Sequence, residues 1–189
     1  MRLQLLLLGT GLVCVAAIAA CTGDDAVVVS GTPAGGTPAG ATAGSVIAEG
    51  DFEKTGCFGW TTNEATLALD PDKHGGSSAC RVCASGSTSV WGIFRTLPSV
   101  APGGYQGRAF VQASGNAGPP LVVMRLQAVA DGADVGPQHD GSADLLQGVP
   151  YAQVTTEIDI QAGQSVAVGI LSQAPGGCFL VDDVTLVKR

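Results

Sequence analysis

The chain has 189 residues, with 16 acidic side chains against 9 basic ones and a formal net charge of −7. That balance, with no Lys/Arg-rich run, argues against a nucleic-acid partner, which needs a basic face. Aromatic residues make up only 5% of the chain, fewer than a surface lined with many stacking rings would need.

In chain order, Met1-Arg2 gives a short positive start, and residues 3–20 form an apolar run broken only by Gln4 and Thr10. The run ends in Ile18-Ala19-Ala20-Cys21, small residues before a cysteine. A positive start, an apolar stretch and a small-residue cut site describe a secretory signal peptide over 1–20. The stretch is also about long enough to span a bilayer. Gly9, Gly11 and the following Asp24-Asp25, in place of a basic stop-transfer cluster, favour cleavage. The junction resembles the lipobox of bacterial lipoproteins, in which the cysteine is lipidated and becomes the new N-terminus. The resemblance implies a lipid on Cys21, a membrane as partner, and an extracytoplasmic location on the cell surface or in the periplasm. Each acyl methylene buried in the bilayer would contribute about 0.8 kcal/mol.

Residues 21–45 then hold this cysteine and a stretch rich in Gly, Thr, Pro and Ala that can build no packed core. Such a composition predicts a flexible spacer, reaching about 25–30 Å as a random coil. Residues 46–189 are expected to form one domain of ordinary size.

Within it, short alternating segments bounded by Gly, Pro, Asp and Ser replace any helical periodicity. Strands are predicted near 46–53, 65–69, 78–84, 89–96, 105–113, 120–130, 152–160, 164–172 and 178–187. Many short strands at even spacing predict an all-β fold, an antiparallel two-sheet β-sandwich.

Six cysteines occur, and Cys57, Cys80, Cys83 and Cys178 fall in the domain. An even number in an exported domain predicts two disulfides. Cys80-Arg81-Val82-Cys83 also reads as a CxxC motif. A redox pair should open a helix, whereas the flanks here look like a strand. Zinc would need a second close pair or nearby histidines, and His74 and His139 are remote in sequence. Three connectivities exist; the expected ones bridge Cys57 and Cys178 each to one of Cys80 and Cys83.

Alternation assigns faces. Val122, Met124 and Leu126 form one core row, and Val166, Val168 and Ile170 another. Tyr105, Ala109 and Val111 form a third. Ala167 and Gly169 then lie outward and small, leaving room for something to lie across them. Arg108, Arg125, Gln106 and Gln127 also point outward and are expected on one sheet face. That face is either a solvated surface or a polar groove for a hydroxyl-rich ligand.

Catalysis finds little support. Ser142, His139 and Asp140 are neighbours in a Gly-rich loop, whereas a triad joins residues distant in sequence. A glycosidase needs two carboxylates across a cleft, and the outward rows carry Arg and Gln. No phosphate loop, dinucleotide fingerprint or zinc signature occurs. The chain is expected not to be an enzyme.

Four motifs carry a second resemblance: Glu49-Gly50-Asp51-Phe52-Glu53 with Gly59-Trp60, His74-Gly75-Gly76-Ser77, Pro102-Gly103-Gly104-Tyr105, and Phe179-Leu180-Val181-Asp182-Asp183-Val184-Thr185-Leu186. Together, in order and spacing over nearly all of 46–189, they resemble the galactose-binding-like jelly-roll carbohydrate-binding modules of the family 4, 9 and 22 type. The four cysteines and Glu49, where an Asn is usual, depart from that pattern. The resemblance implies a structural calcium ion held by the Glu53 and Asp182 side chains and the backbone of Asp51 and of Ser77 or Ser78. Calcium suits such mixed carboxylate and carbonyl oxygens. It also implies a sugar platform at Trp91, with Arg125 and Gln127 and with Arg108 on the same face, whereas Trp60 is expected to pack inward. The function expected from both resemblances is a membrane-tethered lipoprotein whose domain binds carbohydrate or another extracellular ligand. The alternative is a structural or protein-interaction surface lipoprotein.

Overall fold

The computed structural model describes residues 46–50 (backbone only), 52, 53, 56–98, 100–115, 118, 119 and 121–189. Cys21, the predicted signal peptide and the predicted spacer lie outside the described residues, as does Asp51. The described residues form eleven strands: β1 (Val46–Gly50), β2 (Thr61–Asn63), β3 (Ala65–Asp70), β4 (Ala79–Ala84), β5 (Trp91–Leu97), β6 (Gly103–Ser114), β7 (Leu121–Ala130), β8 (Ala133–Asp144), β9 (Ala152–Ile160), β10 (Ser165–Ser172) and β11 (Cys178–Lys188). All pair antiparallel, as the alternation predicts.

The first sheet runs β3-β4-β11-β6-β9, with β1 also on β11; the second runs β2-β5-β10-β7-β8. Their inner rows meet in one core. Val122, Met124 and Leu126 face Val166, Val168 and Ile170 along the β7–β10 pair, and Tyr105, Ala109 and Val111 line the opposite layer, all buried. This is the predicted β-sandwich, and every core row read from alternation is inward.

Two features depart from expectation. β2 and β8 were not predicted. Residues 133–144 carry Gly136, Pro137 and Gly141 with few β-formers, so their strand arises from pairing with β7 at the sheet edge rather than from propensity. Secondly, β6 and β7 belong to different sheets. Arg108 and Gln106 therefore lie on the outer face of the first sheet. Arg125 and Gln127 lie on the second. The expected single face holding all four does not exist.

Both disulfides match the expected pattern. Cys57 bonds Cys80, and Cys83 bonds Cys178. Residues three apart on a strand point to opposite faces, so Cys80 is buried with Val82 while Cys83 faces outward. Neither a redox pair nor a zinc site remains at this CxxC. Cys83 and Cys178 are direct cross-strand partners in the β4–β11 ladder, with Cα atoms 4.1 Å apart.

Candidate functional site

Three strands build a trough on the outer face of the second sheet. β10 is its floor, where the outward Ala167 and Gly169 are small and Leu171 follows them on the same row. β5 forms one wall with Phe94 and Thr96, and β7 the other with Arg125 and Gln127. The register places Phe94 and Arg125 directly beside Gly169, and Thr96 and Gln127 directly beside Ala167. The cavity holds about 450 Å³, within the usual range of ligand sites. The sequence reading that Ala167 and Gly169 leave room across the outer row is met by this trough.

Arg125 is fixed by its neighbour on β8. Its Nε and one Nη donate to the two carboxylate oxygens of Asp140, both at 2.8 Å. A planar, two-bond pair of this kind fixes orientation as well as charge. These bonds, foremost, raise the Arg125 pKa above its ordinary value.

Gln127 has a structural task that the sequence did not show. Between Leu126 and Ala128 the β7–β8 register shifts, so residues 136–138 lie opposite Gln127 alone. Such a bulge breaks the ladder and leaves carbonyls unpaired. The Gln127 amide donates to the carbonyls of Val135 (2.9 Å), Ala128 (3.2 Å) and Gly136 (3.4 Å), which supports the bulge and the rim it raises. Its Oε1 is buried and has no hydrogen-bond partner among the described residues.

Trp91 is not part of the trough. It is fully buried, its ring lies 5.3 Å from that of Phe179, and its indole N–H donates to the Ala174 carbonyl at 2.7 Å. The expected sugar platform at Trp91 is therefore corrected: this ring belongs to the core. Period-two geometry gives the reason, since Trp91 and Ile93 share the inward row while Phe94 and Thr96 share the outward one. Phe94 was the missed residue, and the same alternation would have found it. Arg108 is also corrected. It is exposed on the other sheet and donates weakly to Gln106 at 3.4 Å. Trp60 packs against the core, 6.3 Å from Phe52, as expected.

The carboxylates expected to hold calcium both close on one turn, residues 74–78. Asp182 accepts the N–H groups of His74 (2.9 Å), Gly75 (3.1 Å) and Asp183 (2.8 Å). Glu53 accepts those of Ser77 (2.6 Å) and Ser78 (3.0 Å), and the Ser77 hydroxyl as well. The Ser78 hydroxyl donates to the Phe52 carbonyl. The bonds to Ser77 and Ser78 hold the Glu53 pKa below its ordinary value. Burial raises that of Asp182, against the lowering effect of its N–H partners. As donors, two carboxylates at one turn fit part of a calcium shell, and the remaining oxygens would have to come from backbone or water. Among the described residues no group of three His, Cys, Asp or Glu side chains is placed to hold a metal.

No family model matches the chain, and no curated protein does. Solved structures do. The xylan-binding CBM22-1 domain of Paenibacillus barcinonensis Xyn10C has a TM-score of 0.64 at 13% identity, over 78% of this chain and 97% of that one. A xylan-binding domain from CBM 22 has a TM-score of 0.60 at 18% identity, over 77% and 96%. The CBM22-1–GH10 modules of Clostridium thermocellum xylanase 10B, complexed with xylohexaose, give 0.63 at 14%, over 76% of this chain and 28% of that one. The shared feature is the fold. It is the jelly-roll sandwich of carbohydrate-binding modules. At these identities the likeness carries architecture and not ligand.

Proposed function

We propose that the domain is a non-catalytic carbohydrate-binding module whose ligand lies in the trough over Ala167 and Gly169. The observation that supports this most is a trough with small residues in its floor, between polar and aromatic walls, on a fold shared with xylan-binding domains. An apolar wall suits the C–H faces of a sugar, and planar polar groups suit its hydroxyls. Among the described residues lining the trough, Asp134 is the one carboxylate, whereas glycoside hydrolysis uses a pair. Electrophoresis through gels carrying soluble xylan, mixed-linkage β-glucan or galactan tests the reading. Retarded migration in at least one gel, abolished by Gly169→Leu, is the expected result. Free migration in all three would overturn it.

Two further parts of the proposal rest on the sequence resemblances. A lipid at Cys21 would hold the module to a bacterial membrane, and detergent-phase partitioning that survives in Cys21→Ala would refute it. A calcium ion at Glu53 and Asp182 would add its charge to a turn already fastened by N–H groups.

A further inference from the structure

One row of residues crosses the second sheet from edge to edge. Thr61, Phe94, Gly169, Arg125 and Asp140 are each paired directly with the next. Side chains of such a row stand on one face, roughly perpendicular to the sheet. Phe94 and Arg125 therefore face each other across Gly169, on strands two spacings apart, about 10 Å. One saturated ring in van der Waals contact on both faces, at about 4 Å each, needs walls about 8 Å apart.

The gap between them is not forced by the fold. A Cβ on Gly169 would meet its nearest neighbours at 3.6 Å, an ordinary contact, and its φ is not positive. Gly92, one strand away, is the contrast. A Cβ there would lie 2.2 Å from the Ile170 carbonyl oxygen, so packing demands glycine. Nothing comparable demands it at 169, where a Cβ would make ordinary contacts with Leu171 and Arg125 and narrow the space between the walls.

Arg125 is not an available cation either. Its two bonds to Asp140 fix the guanidinium plane and oppose its charge, and its side chain is only 24% exposed. A guanidinium so held presents a flat, weakly hydrated face. Asp134 in the lining adds negative charge.

We infer that the trough holds one uncharged, polyhydroxylated ring by its two faces, between Phe94 and the Arg125 plane, and that Asp140 is the positioning residue that makes it reject anionic sugars. This rests on the carbohydrate-binding reading above. A carboxylate-bearing sugar would meet a cation already matched and an acid beside it, and it would lose hydration without gaining a partner.

Calorimetric titration with three neutral hexaoses (xylohexaose, cellohexaose and a β-1,4-galactohexaose) and with hexagalacturonate tests the inference. The wild-type chain is expected to bind a neutral hexaose, with an affinity almost independent of salt, and not the galacturonate. Arg125→Lys keeps the charge and loses the plane, so the neutral hexaose weakens about three- to thirtyfold. Phe94→Ala weakens it similarly. Asp140→Asn frees the charge, so hexagalacturonate gains about tenfold or more, and the gain fades as salt rises. A merely structural role for Asp140 would weaken both ligands and produce no gain. Should Asp140→Asn lower the unfolding midpoint, the wild-type salt series decides instead, and a steep salt dependence of neutral-hexaose binding overturns the inference. If Gly169→Leu abolishes binding while Arg125→Lys and Phe94→Ala bind within about twofold of wild type, the clamp is wrong and the sugar reading stands. If no neutral hexaose binds, both fall.

Discussion

Trp91 and Phe94 sit three residues apart on one strand and have different work. Trp91 fills the core against Phe179 with its indole nitrogen satisfied. Its replacement by alanine is expected to cost about 3–5 kcal/mol in urea unfolding, as large core deletions do, while the folded protein still binds whatever the wild type binds. Binding lost in a folded Trp91→Ala variant would return that ring to the ligand site. The two tyrosines offer a second test at this scale, since the chain contains no others. Burial raises the pKa of both Tyr105 and Tyr151, and for Tyr151 the acids Asp182, Asp72, Asp70 and Asp183 add to it. The unfolded chain therefore releases its phenolic protons first, from about pH 10. Below that pH the contribution of these groups to stability is complete, and above it stability falls with every further rise. Tyrosinate absorbance is thus expected to appear late and together with loss of the far-ultraviolet β signal. Smooth titration near pH 10 in a folded chain would contradict the burial. Alternation supplied the core rows and the small floor of the trough. Trp91 is misplaced by the family resemblance, which supplies a position on the strand but not the parity that turns this ring inward.

β11 is the seam of the first sheet. Along one edge it pairs with β4 over 178–181 and then with β1 over 184–187. Between these partners the β11–β6 ladder bulges at Asp183–Val184, where Asp183 takes a positive φ of 48°. Asp182, just before the bulge, stays in register with Phe110 of β6, and its carboxylate takes the His74 and Gly75 N–H groups of the 74–78 turn. At this point the two cystines do different work. Cys83–Cys178 closes a separation of 95 residues and Cys57–Cys80 one of 23. Loop-closure entropy assigns the longer one about 4.7 kcal/mol and the shorter somewhat over 3 kcal/mol. The paired variant Cys83→Ala/Cys178→Ala is expected to lose more chemical stability than Cys57→Ala/Cys80→Ala. The reverse order would show that strain or denatured-state structure governs instead. The sequence could limit the pairing of these cysteines through extended-strand spacing. It could not place β6 and β7 in different sheets, because outward rows of both sheets have the same alternation, and the crossing is made by the connection between them. Nor could it find β8, a strand by pairing rather than by composition.

For the molecule as a whole, the sandwich was legible because many short alternating segments separated by turn residues have few other ways to bury one face. The trough was legible only in part: its floor and one wall were read correctly. Asp140, placed in a loop by its Gly-rich neighbours, proved to be the anchor of Arg125. The proposed calcium ion is a whole-molecule question, because Glu53 lies near one end of the domain sequence and Asp182 near the other. If an ion is held there, chelation lowers the melting midpoint and added calcium restores it, as for any ligand of the native state. An unchanged midpoint in chelator would leave the N–H bonds of residues 74–78 as the whole of that closure.

The pairing of β1 with β11 also sets how the domain answers to force. Val46 pairs with Val187, and the ladder continues from there toward Gly50 and Val184. A pull between residue 46 and the C-terminal end of β11 therefore meets the outermost rung first and peels β1 away one hydrogen bond after another, as a zipper opens, rather than loading all rungs in shear. Traction that reaches β4 and the C-terminal strand is borne at Cys83–Cys178 by a covalent link. Under steady tension the first strand is the mechanical fuse, and the sulfur-stitched remainder, with the trough on its far sheet, is the part that outlasts it.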